Sequence, residues 1–226
     1  MKRLQIFSLL ALVMVSVLPS FGQEAKHDFV KWEKDILAYE QSDHTNPPPK
    51  GALLFIGSST IRLWKTLAED YPGQRVINRG FGGSEILDST HFADRIVFPY
   101  EPKAIYFRAG GNDIAAGKAP EAVFEDFKDF VAKVHAQLPG TDIYFISWNP
   151  TPSRWQNRDK EALLNRLTKE LAEVTPHVKY IEASSMVLGE DGKPRVELFM
   201  ADKLHFNAAG YKLLAERVRP FLPKQE

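Results

Sequence analysis

The chain contains no cysteine among its 226 residues. Disulfide bonds, thiolate zinc sites, a catalytic cysteine and a lipid-modified cysteine are therefore excluded. A surplus of charge of one sign is also missing, because 29 basic residues balance 29 acidic residues and the formal net charge is zero. Without a basic surplus the composition gives no indication of a nucleic-acid partner, and we expect none.

Long hydrophobic runs are scarce as well. The apolar stretch over residues 4–18 is shorter than the ~20 residues that a membrane-spanning helix needs. Basic residues precede it, and a helix break with small residues follows it: Lys2 and Arg3, then Pro19, Ser20 and Gly22. This pattern predicts a signal peptide over residues 1–22, with a membrane anchor as the alternative. The mature chain, residues 23–226, would then be exported to the periplasm or the medium without a membrane span.

Several catalytic motifs are absent from the sequence. There is no Gly-x-Ser-x-Gly elbow, so the usual α/β-hydrolase fold is unsupported. The glycines at 111 and 117 are one residue too far apart for a phosphate-binding loop, and Ala119 stands where that loop needs Ser or Thr. No His-Glu-x-x-His pairing and no histidine cluster indicates a metal, so we expect no metal site.

What the chain does contain is a regular alternation of strand-like and helix-like segments. The strand-like segments are short, apolar and rich in β-branched residues, and they cover residues 52–56, 76–78, 104–108, 142–148 and 178–181. Helical spacing of apolar residues appears over residues 29–39, 61–67, 123–138, 163–174 and 208–221. Such alternation predicts a single doubly wound α/β domain with a parallel sheet covered on both faces. Ligands bind at the carboxyl ends of the strands in such a sheet.

The most informative strand end is the first. The strand over residues 52–56 runs into Gly57-Ser58-Ser59-Thr60, and a helical pattern follows at once. Backbone N–H groups and the helix dipole favour negative charge at such a junction, which a nucleophilic serine needs when an oxyanion forms beside it. The alternative is that the serine only caps the helix.

Companion groups follow the other strands. A glycine-rich turn covers residues 80–83, and Gly110-Gly111-Asn112-Asp113 follows the third strand. Near the end of the chain, Asp202 precedes His205 by three residues, so its carboxylate can accept from Nδ1–H and leave Nε2 free to act as a base. Each group could be a turn residue, a cap or a solvated charge; together they match the parts of a serine hydrolase.

These segments resemble the four signature blocks of the SGNH hydrolases, also called GDSL-type esterases and lipases. The blocks occur in the family's order and span about residues 52–221. They are Gly57-Ser58-Ser59, Gly83, Gly110-Gly111-Asn112-Asp113 and Asp202-Lys203-Leu204-His205. The segments 78–84 and 204–211 are most similar to the branch that contains the catalytic subunits of platelet-activating-factor acetylhydrolase.

The resemblance implies a role for each matching position. Ser59 matches the nucleophile, and Asp202 and His205 match the acid and the base. Ser59, Gly83 and Asn112 match the oxyanion hole, through two backbone N–H groups and one side-chain amide. It also implies a flavodoxin-like three-layer αβα sandwich with a five-stranded parallel sheet, and no metal or organic cofactor.

One position departs from the family pattern. The first block usually reads Gly-Asp-Ser, and here Ser58 occupies the aspartate position. That aspartate is not a member of the triad, so we expect the chemistry to survive. The change leaves two adjacent hydroxyl groups, on Ser58 and Ser59, that could attack.

We therefore predict an exported serine esterase that hydrolyses short-chain esters, acetyl esters above all, with acetylated carbohydrate as a candidate substrate. Arg154 and Trp155 follow the fourth strand and could bind an anion and a sugar ring; the alternative is a surface arginine and a capping aromatic. A catalytically silent glycan-binding module, and a thioesterase or lysophospholipase, are the competing functions. The oligomeric state is left open.

Overall fold

A computed structural model describes residues 27–224, so the predicted signal peptide over residues 1–22 lies outside the described residues. Five strands form one sheet in which every neighbouring pair is parallel. The strands are β1 (Leu53–Gly57), β2 (Val76–Gly80), β3 (Ala104–Arg108), β4 (Asp142–Ile146) and β5 (Val178–Ile181). Their order across the sheet is β2-β1-β3-β4-β5, which places β1 and β3 side by side at its centre.

Nine α-helices surround the sheet in the described part of the chain. They are α1 (Glu33–Thr45), α2 (Ser59–Arg62), α3 (Leu67–Asp70), α4 (Ile86–His91), α5 (Ala93–Ile96), α6 (Gly111–Ala115), α7 (Pro120–Gln137), α8 (Arg158–Val174) and α9 (Ala208–Val218). Short 3-10 turns cover Val30–Trp32, Phe98–Tyr100, Pro152–Asn157, Ser185–Val187, Val196–Leu198 and Arg219–Phe221. None of these helices is both long enough and apolar enough to cross a bilayer.

Alternation along the strands divides the core into two layers. On β1, Leu54 and Ile56 join the cluster beneath α1, α4, α5, α7 and α8, whereas Leu53 and Phe55 join the cluster beneath α2, α3 and α9. All four side chains are buried, as expected for a strand covered on both faces. The three-layer αβα sandwich with a five-stranded parallel sheet is thus confirmed.

The segment predicted as one helix over residues 61–67 is two short helices instead. Helix α2 ends at Arg62, and α3 begins only at Leu67. Between them the Trp64 indole N–H and the Thr66 hydroxyl both donate to one carboxylate oxygen of Asp70, at 2.6 and 2.7 Å. These two bonds stabilise a turn where apolar spacing alone indicated a continuous helix.

Two helices between β2 and β3 were not predicted from the sequence. Helix α4 begins after Glu85, whose backbone N–H donates to the Asp88 carboxylate at 2.8 Å. Helices α4 and α5 together span only ten residues, too few for apolar spacing to be recognised. They pack Ile86, Ala93 and Ile96 into the core.

Candidate active site

The carboxyl end of β1 carries the serine junction. Gly57 ends the strand with a φ of +141°, and a Cβ at this position would lie 2.0 Å from the backbone oxygen of Arg108. The next residue, Ser58, donates its N–H to that same oxygen at 3.0 Å. Helix α2 then begins at Ser59, beside the carboxyl ends of the strands. The glycine therefore lets β1 approach β3 closely enough for the following serine to reach the surface.

Ser59 and Ser58 differ sharply in their surroundings. The Ser59 hydroxyl lies 3.0 Å from Nε2 of His205. Ser58 is only 1% exposed, and its hydroxyl has no hydrogen-bond partner among the described residues. Of the two adjacent hydroxyl groups, only that of Ser59 contacts a base.

Asp202 completes a chain of contacts with the histidine. Nδ1 of His205 lies 2.6 Å from one oxygen of the Asp202 carboxylate. The backbone N–H groups of Leu204 and His205 donate to the other oxygen at 2.9 and 3.0 Å. The hydrogen bond with His205, aided by the two backbone bonds, lowers the pKa of Asp202 to about 2. The carboxylate is therefore ionised at neutral pH and can hold a proton on Nδ1.

The loop that carries both residues is anchored at its two ends. The backbone N–H of Met200 donates to the oxygen of His205 at 2.7 Å, and Lys203 takes a positive φ of 56° between them. The Asn207 side chain caps α9 by accepting from the N–H groups of Ala209 and Gly210. This cap fixes the base next to a helix start.

The predicted oxyanion residues lie across the same cleft. Gly83 has a φ of +82° in the turn after β2, and a Cβ there would lie 3.0 Å from the ring of Trp32. Asn112 is the second residue of α6, and its Nδ2 donates to the backbone oxygen of Ser84 at 2.9 Å. Among residues 27–224, the backbone N–H groups of Ser59 and Gly83 donate to no protein acceptor. Three donors are thus available around one cleft.

Two cavities meet at Ser59. A cleft of about 280 Å³ is lined by Ser59, Arg62, Leu63, Gly82, Gly83, Asn112, Arg154, Leu204 and His205. A recess of about 20 Å³ is lined by Ser59, Thr60, Arg108, Asn112, Trp148, Asn149, Thr151, Arg154, Leu204, His205 and Phe206. A larger groove of about 500 Å³ along α9 contains neither Ser59 nor His205. We place the candidate site at the two smaller cavities because the serine–histidine contact lies there.

The recess contains one charged side chain, Arg108, that was not among the site residues predicted from the sequence. Arg108, the last residue of β3, is 1% exposed and stacks on Trp148 at 4.7 Å from the ring centre. Its guanidinium donates to the backbone oxygen of Ser147 and to the Asn149 side chain. Burial lowers the pKa of Arg108 to about 10. A single arginine at the end of an otherwise apolar strand was the only signal available in the sequence.

The structure places the two rim candidates differently. Nη1 of Arg154 donates to the Asn112 side-chain oxygen at 3.1 Å and to the backbone oxygen of Gly111 at 3.2 Å. Trp155 is half-buried and packs against the Arg158 guanidinium at 5.0 Å, and it is not among the residues lining either cavity at Ser59. Arg154 is therefore part of the candidate site, and Trp155 lies beside it.

No three His, Asp or Glu side chains within residues 27–224 are arranged so that they could hold a metal ion together. The site consists of one hydroxyl, one imidazole with its carboxylate, three N–H donors and three arginines. Such a set can activate an oxygen nucleophile and stabilise a developing oxyanion.

Comparison with known proteins gives one family match. The family model of the GDSL-like lipase/acylhydrolases matches residues 57–213, from the glycine before the two serines into α9. No curated protein sequence matches the chain.

Solved structures share the fold at low identity. A Streptococcus pneumoniae protein with a provisional assignment as a platelet activating factor has a TM-score of 0.76 and 20% identity, over 86% of this chain and 94% of its own. A GDSL-like lipase from Bacteroides thetaiotaomicron has a TM-score of 0.69 and 17% identity, over 86% and 98%. A catalytic mutant of an acetylxylan esterase from Geobacillus stearothermophilus has a TM-score of 0.61 and 16% identity, over 78% and 96%.

Proposed function

Because the chain belongs to the GDSL-like lipase/acylhydrolase family, we propose that it is an exported serine esterase that hydrolyses short-chain carboxylic esters through an acyl-enzyme. The observation that carries this proposal is the position of His205 between two partners. One ring nitrogen lies 3.0 Å from the Ser59 hydroxyl and the other 2.6 Å from Asp202. A nucleophile, a base and a group that orients the base are the parts that acyl transfer requires.

In the first step Nε2 of His205 takes the proton of Ser59 as Oγ attacks the ester carbonyl. The ionised Asp202 accepts from Nδ1–H and stabilises the imidazolium that forms. The tetrahedral intermediate collapses when Nε2–H protonates the departing alkoxide. The products of this half-reaction are a free alcohol and an acyl group on Ser59.

The negative charge of the intermediate would be held by the N–H groups of Ser59 and Gly83 and by the Asn112 amide. Losing one such donor typically raises the barrier by about 3–4 kcal/mol. Water then attacks the acyl-enzyme with His205 as the base, and the released carboxylic acid leaves Ser59 free again. Every proton transfer in this cycle uses the same histidine nitrogen.

The size of the recess supports a short acyl group. Its volume of about 20 Å³ compares with the roughly 10–15 Å³ that a single water molecule needs by the same measure. A methyl group is close to a water molecule in size, so the recess suits the methyl end of an acetyl group. We therefore propose acetyl esters as the preferred substrates.

The open cleft on the other side of Ser59 suits the alcohol part of the ester. Its volume of about 280 Å³ is enough for a sugar ring, and it opens to solvent beside Arg62 and Leu63. We propose a carbohydrate as the alcohol part, so that the substrate is an acetylated carbohydrate. An extracellular substrate of this kind is in keeping with the predicted signal peptide. The acetylxylan esterase among the structural neighbours is at 16% identity a precedent for that chemistry on this fold.

The nucleophile is tested by hydrolysis of p-nitrophenyl acetate. Ser59→Ala should lower kcat by roughly 10⁴-fold or more, because the attacking oxygen is lost. Ser58→Ala is the matched control and should keep most of the rate, since it removes a buried hydroxyl that has no partner within residues 27–224. Wild-type rates for Ser59→Ala together with a loss for Ser58→Ala would show that the nucleophile is misassigned.

The competing functions are tested on the same purified protein. A glycan-binding module without turnover would resist labelling by an organophosphonate, whereas the proposed esterase should be labelled at Ser59. A thioesterase or lysophospholipase would prefer thioesters or octanoyl esters, whereas the proposed enzyme should hydrolyse acetyl esters fastest. Comparison of acetyl, butyryl and octanoyl esters with the matching thioesters decides between these outcomes.

A further inference from the structure

The side-chain amide of Asn112 can face the cleft in two orientations, and only one of them is useful. With Nδ2 towards the substrate, the amide donates a hydrogen bond to an oxyanion. After a 180° turn its oxygen would face the oxyanion and repel it. A hydrolase that uses this amide therefore needs a neighbour that distinguishes oxygen from nitrogen.

Two contacts make that distinction here. One hydrogen of Nδ2 donates to the backbone oxygen of Ser84 at 2.9 Å, and Oδ1 accepts from Arg154 at 3.1 Å. In the reversed orientation, Oδ1 would face the Ser84 oxygen and Nδ2 would face the guanidinium. Both contacts would then be repulsive, so they favour the same orientation.

Arg154 is itself held in place. Its backbone N–H donates to the oxygen of Thr151 at 3.2 Å, and the same Nη1 that reaches Asn112 also donates to the Gly111 oxygen at 3.2 Å. The adjacent Ser153 donates its N–H to the oxygen of Lys203 at 3.1 Å, which joins this turn to the loop of the base. Within residues 27–224 Arg154 forms no ion pair with a carboxylate.

We propose that Arg154 is a positioning residue that fixes the Asn112 amide with one Nδ2 hydrogen directed at the substrate oxyanion. This rests on the proposed function, and it differs from the anion-binding role that the sequence suggested for the same arginine. Nδ2 of Asn112 carries two hydrogens. One donates to the backbone oxygen of Ser84, and the other has no protein acceptor among the described residues, so it is available to the substrate. Arg154 thus acts on the reaction through Asn112.

A double-mutant cycle on acetyl ester hydrolysis tests this role. Arg154→Met keeps the aliphatic stem but removes every donor, and it should lower kcat about 10–100-fold with KM changed less than about threefold, because orientation of one oxyanion donor is lost. Asn112→Ala should lower kcat by about 10²–10³-fold. In the Asn112→Ala background, Arg154→Met should cost less than about threefold, since no amide remains to be oriented.

Matched variants separate positioning from folding and from charge. Arg158→Met removes a guanidinium from the same turn region that contacts Trp155 and not Asn112, and it should leave kcat unchanged. Arg154→Lys keeps the charge and a donor nitrogen, so it should recover part of the kcat that Arg154→Met loses. Should Arg154→Met fail to fold, the cycle is run with Arg154→Lys, whose smaller loss should also vanish in the Asn112→Ala background.

Two results would overturn the inference. One is a rise in KM at constant kcat for Arg154→Met, which indicates direct binding of substrate. The other is an equal loss from Arg154→Met with and without Asn112. Either result with an inactive Ser59→Ala protein leaves the proposed esterase standing, whereas full activity of both Ser59→Ala and Ser58→Ala would overturn both proposals.

Discussion

At the scale of single residues, Asp202 shows how local hydrogen bonds fix the charge of a side chain in the candidate site. Three N–H groups within one short loop point at its carboxylate, those of Leu204 and of the His205 backbone and ring. Because these bonds favour the charged form, they hold the pKa of Asp202 at about 2. A pKa below the unfolded value means that the bonds contribute stability above about pH 4, and that this contribution is lost as the pH falls through about 2.

The first prediction concerns that pKa. His205→Ala removes the largest of the stabilising bonds, so the pKa of Asp202 should rise from about 2 towards its ordinary 3.8. Carboxyl ¹³C NMR titration of both proteins measures the change. His177→Ala, which removes a histidine that contacts Asp142, is the matched control and should leave the Asp202 titration where it is.

At the scale of elements, α2 is the decisive piece. It is only four residues long, too short to be stable alone, so its position depends on contacts from neighbours. The Asn78 side chain of β2 donates to the oxygen of Ile61 at 2.7 Å, and the Tyr211 hydroxyl of α9 donates to the oxygen of Thr60 at 2.9 Å. The sheet on one side and α9 on the other thereby hold Ser59 in place.

Close approach of the backbone at the end of β1 gives the second prediction. Gly57→Ala would place a methyl group 2.0 Å from the Arg108 oxygen at a φ of +141°, and should lower the free energy of unfolding by roughly 2–4 kcal/mol. Gly140→Ala is the control, since no atom of the described residues lies within 4 Å of the added carbon, and it should change stability by less than about 0.5 kcal/mol. Urea unfolding measures both; equal stability of the two variants would contradict this account of the junction.

At the scale of the whole molecule, two acidic side chains near the site are buried. Glu161 of α8 is 3% exposed, and one of its carboxylate oxygens has no hydrogen-bond partner among the described residues. Burial raises its pKa to about 7, although the charges of Arg108 and Arg154 oppose the shift. Asp113 of α6 is likewise buried, and its pKa is raised to about 7 by desolvation and by the charge of Glu85. Folding thus disfavours the charged form of both of these carboxyl groups.

Stability should therefore depend on pH in a defined direction, which is the third prediction. In the folded state the pKa of Glu161 lies above its ordinary 4.5, because burial favours the neutral carboxyl group. The stability that this group contributes is therefore fully present below about pH 4.5, and it is lost as the pH rises through 7. Glu161→Gln cannot ionise, so its free energy of unfolding relative to the wild type should rise between pH 5 and pH 9. The expected gain is roughly 1–3 kcal/mol, since one pKa unit corresponds to about 1.4 kcal/mol.

Thermal or urea unfolding at pH 5, 7 and 9 measures this difference. Glu170→Gln, on an exposed part of the same helix, controls for the loss of a negative charge from α8. A constant difference between Glu161→Gln and the wild type over this range would contradict the assignment of the buried carboxyl group. Activity of Glu161→Gln is recorded in parallel, because Glu161 lies close enough for the charges of Arg108 and Arg154 to affect it.

Much of the fold could be predicted because it depends on local patterns. The strands over residues 104–108 and 178–181 have the predicted bounds, since a short apolar run between polar segments is a local pattern. The strand from residue 142 ends at 146 rather than 148, and the helix over residues 61–67 is interrupted. Both differences arise where polar side chains form hydrogen bonds at the end of a strand or a helix. The spacing of apolar residues gives no information about such bonds.

The sequence by itself determined the alternating architecture, the five strand segments, and the pairing of Asp202 with His205, because these depend on residues close together in the chain. Only the tertiary structure decided the strand order and the contact of His205 with Ser59, 146 residues apart. It alone brought Arg154 to Asn112, 42 residues away, and buried Arg108 beneath the recess. The physical reason is that a periodic pattern specifies which side of an element is buried, whereas contacts between loops depend on how all the layers pack together.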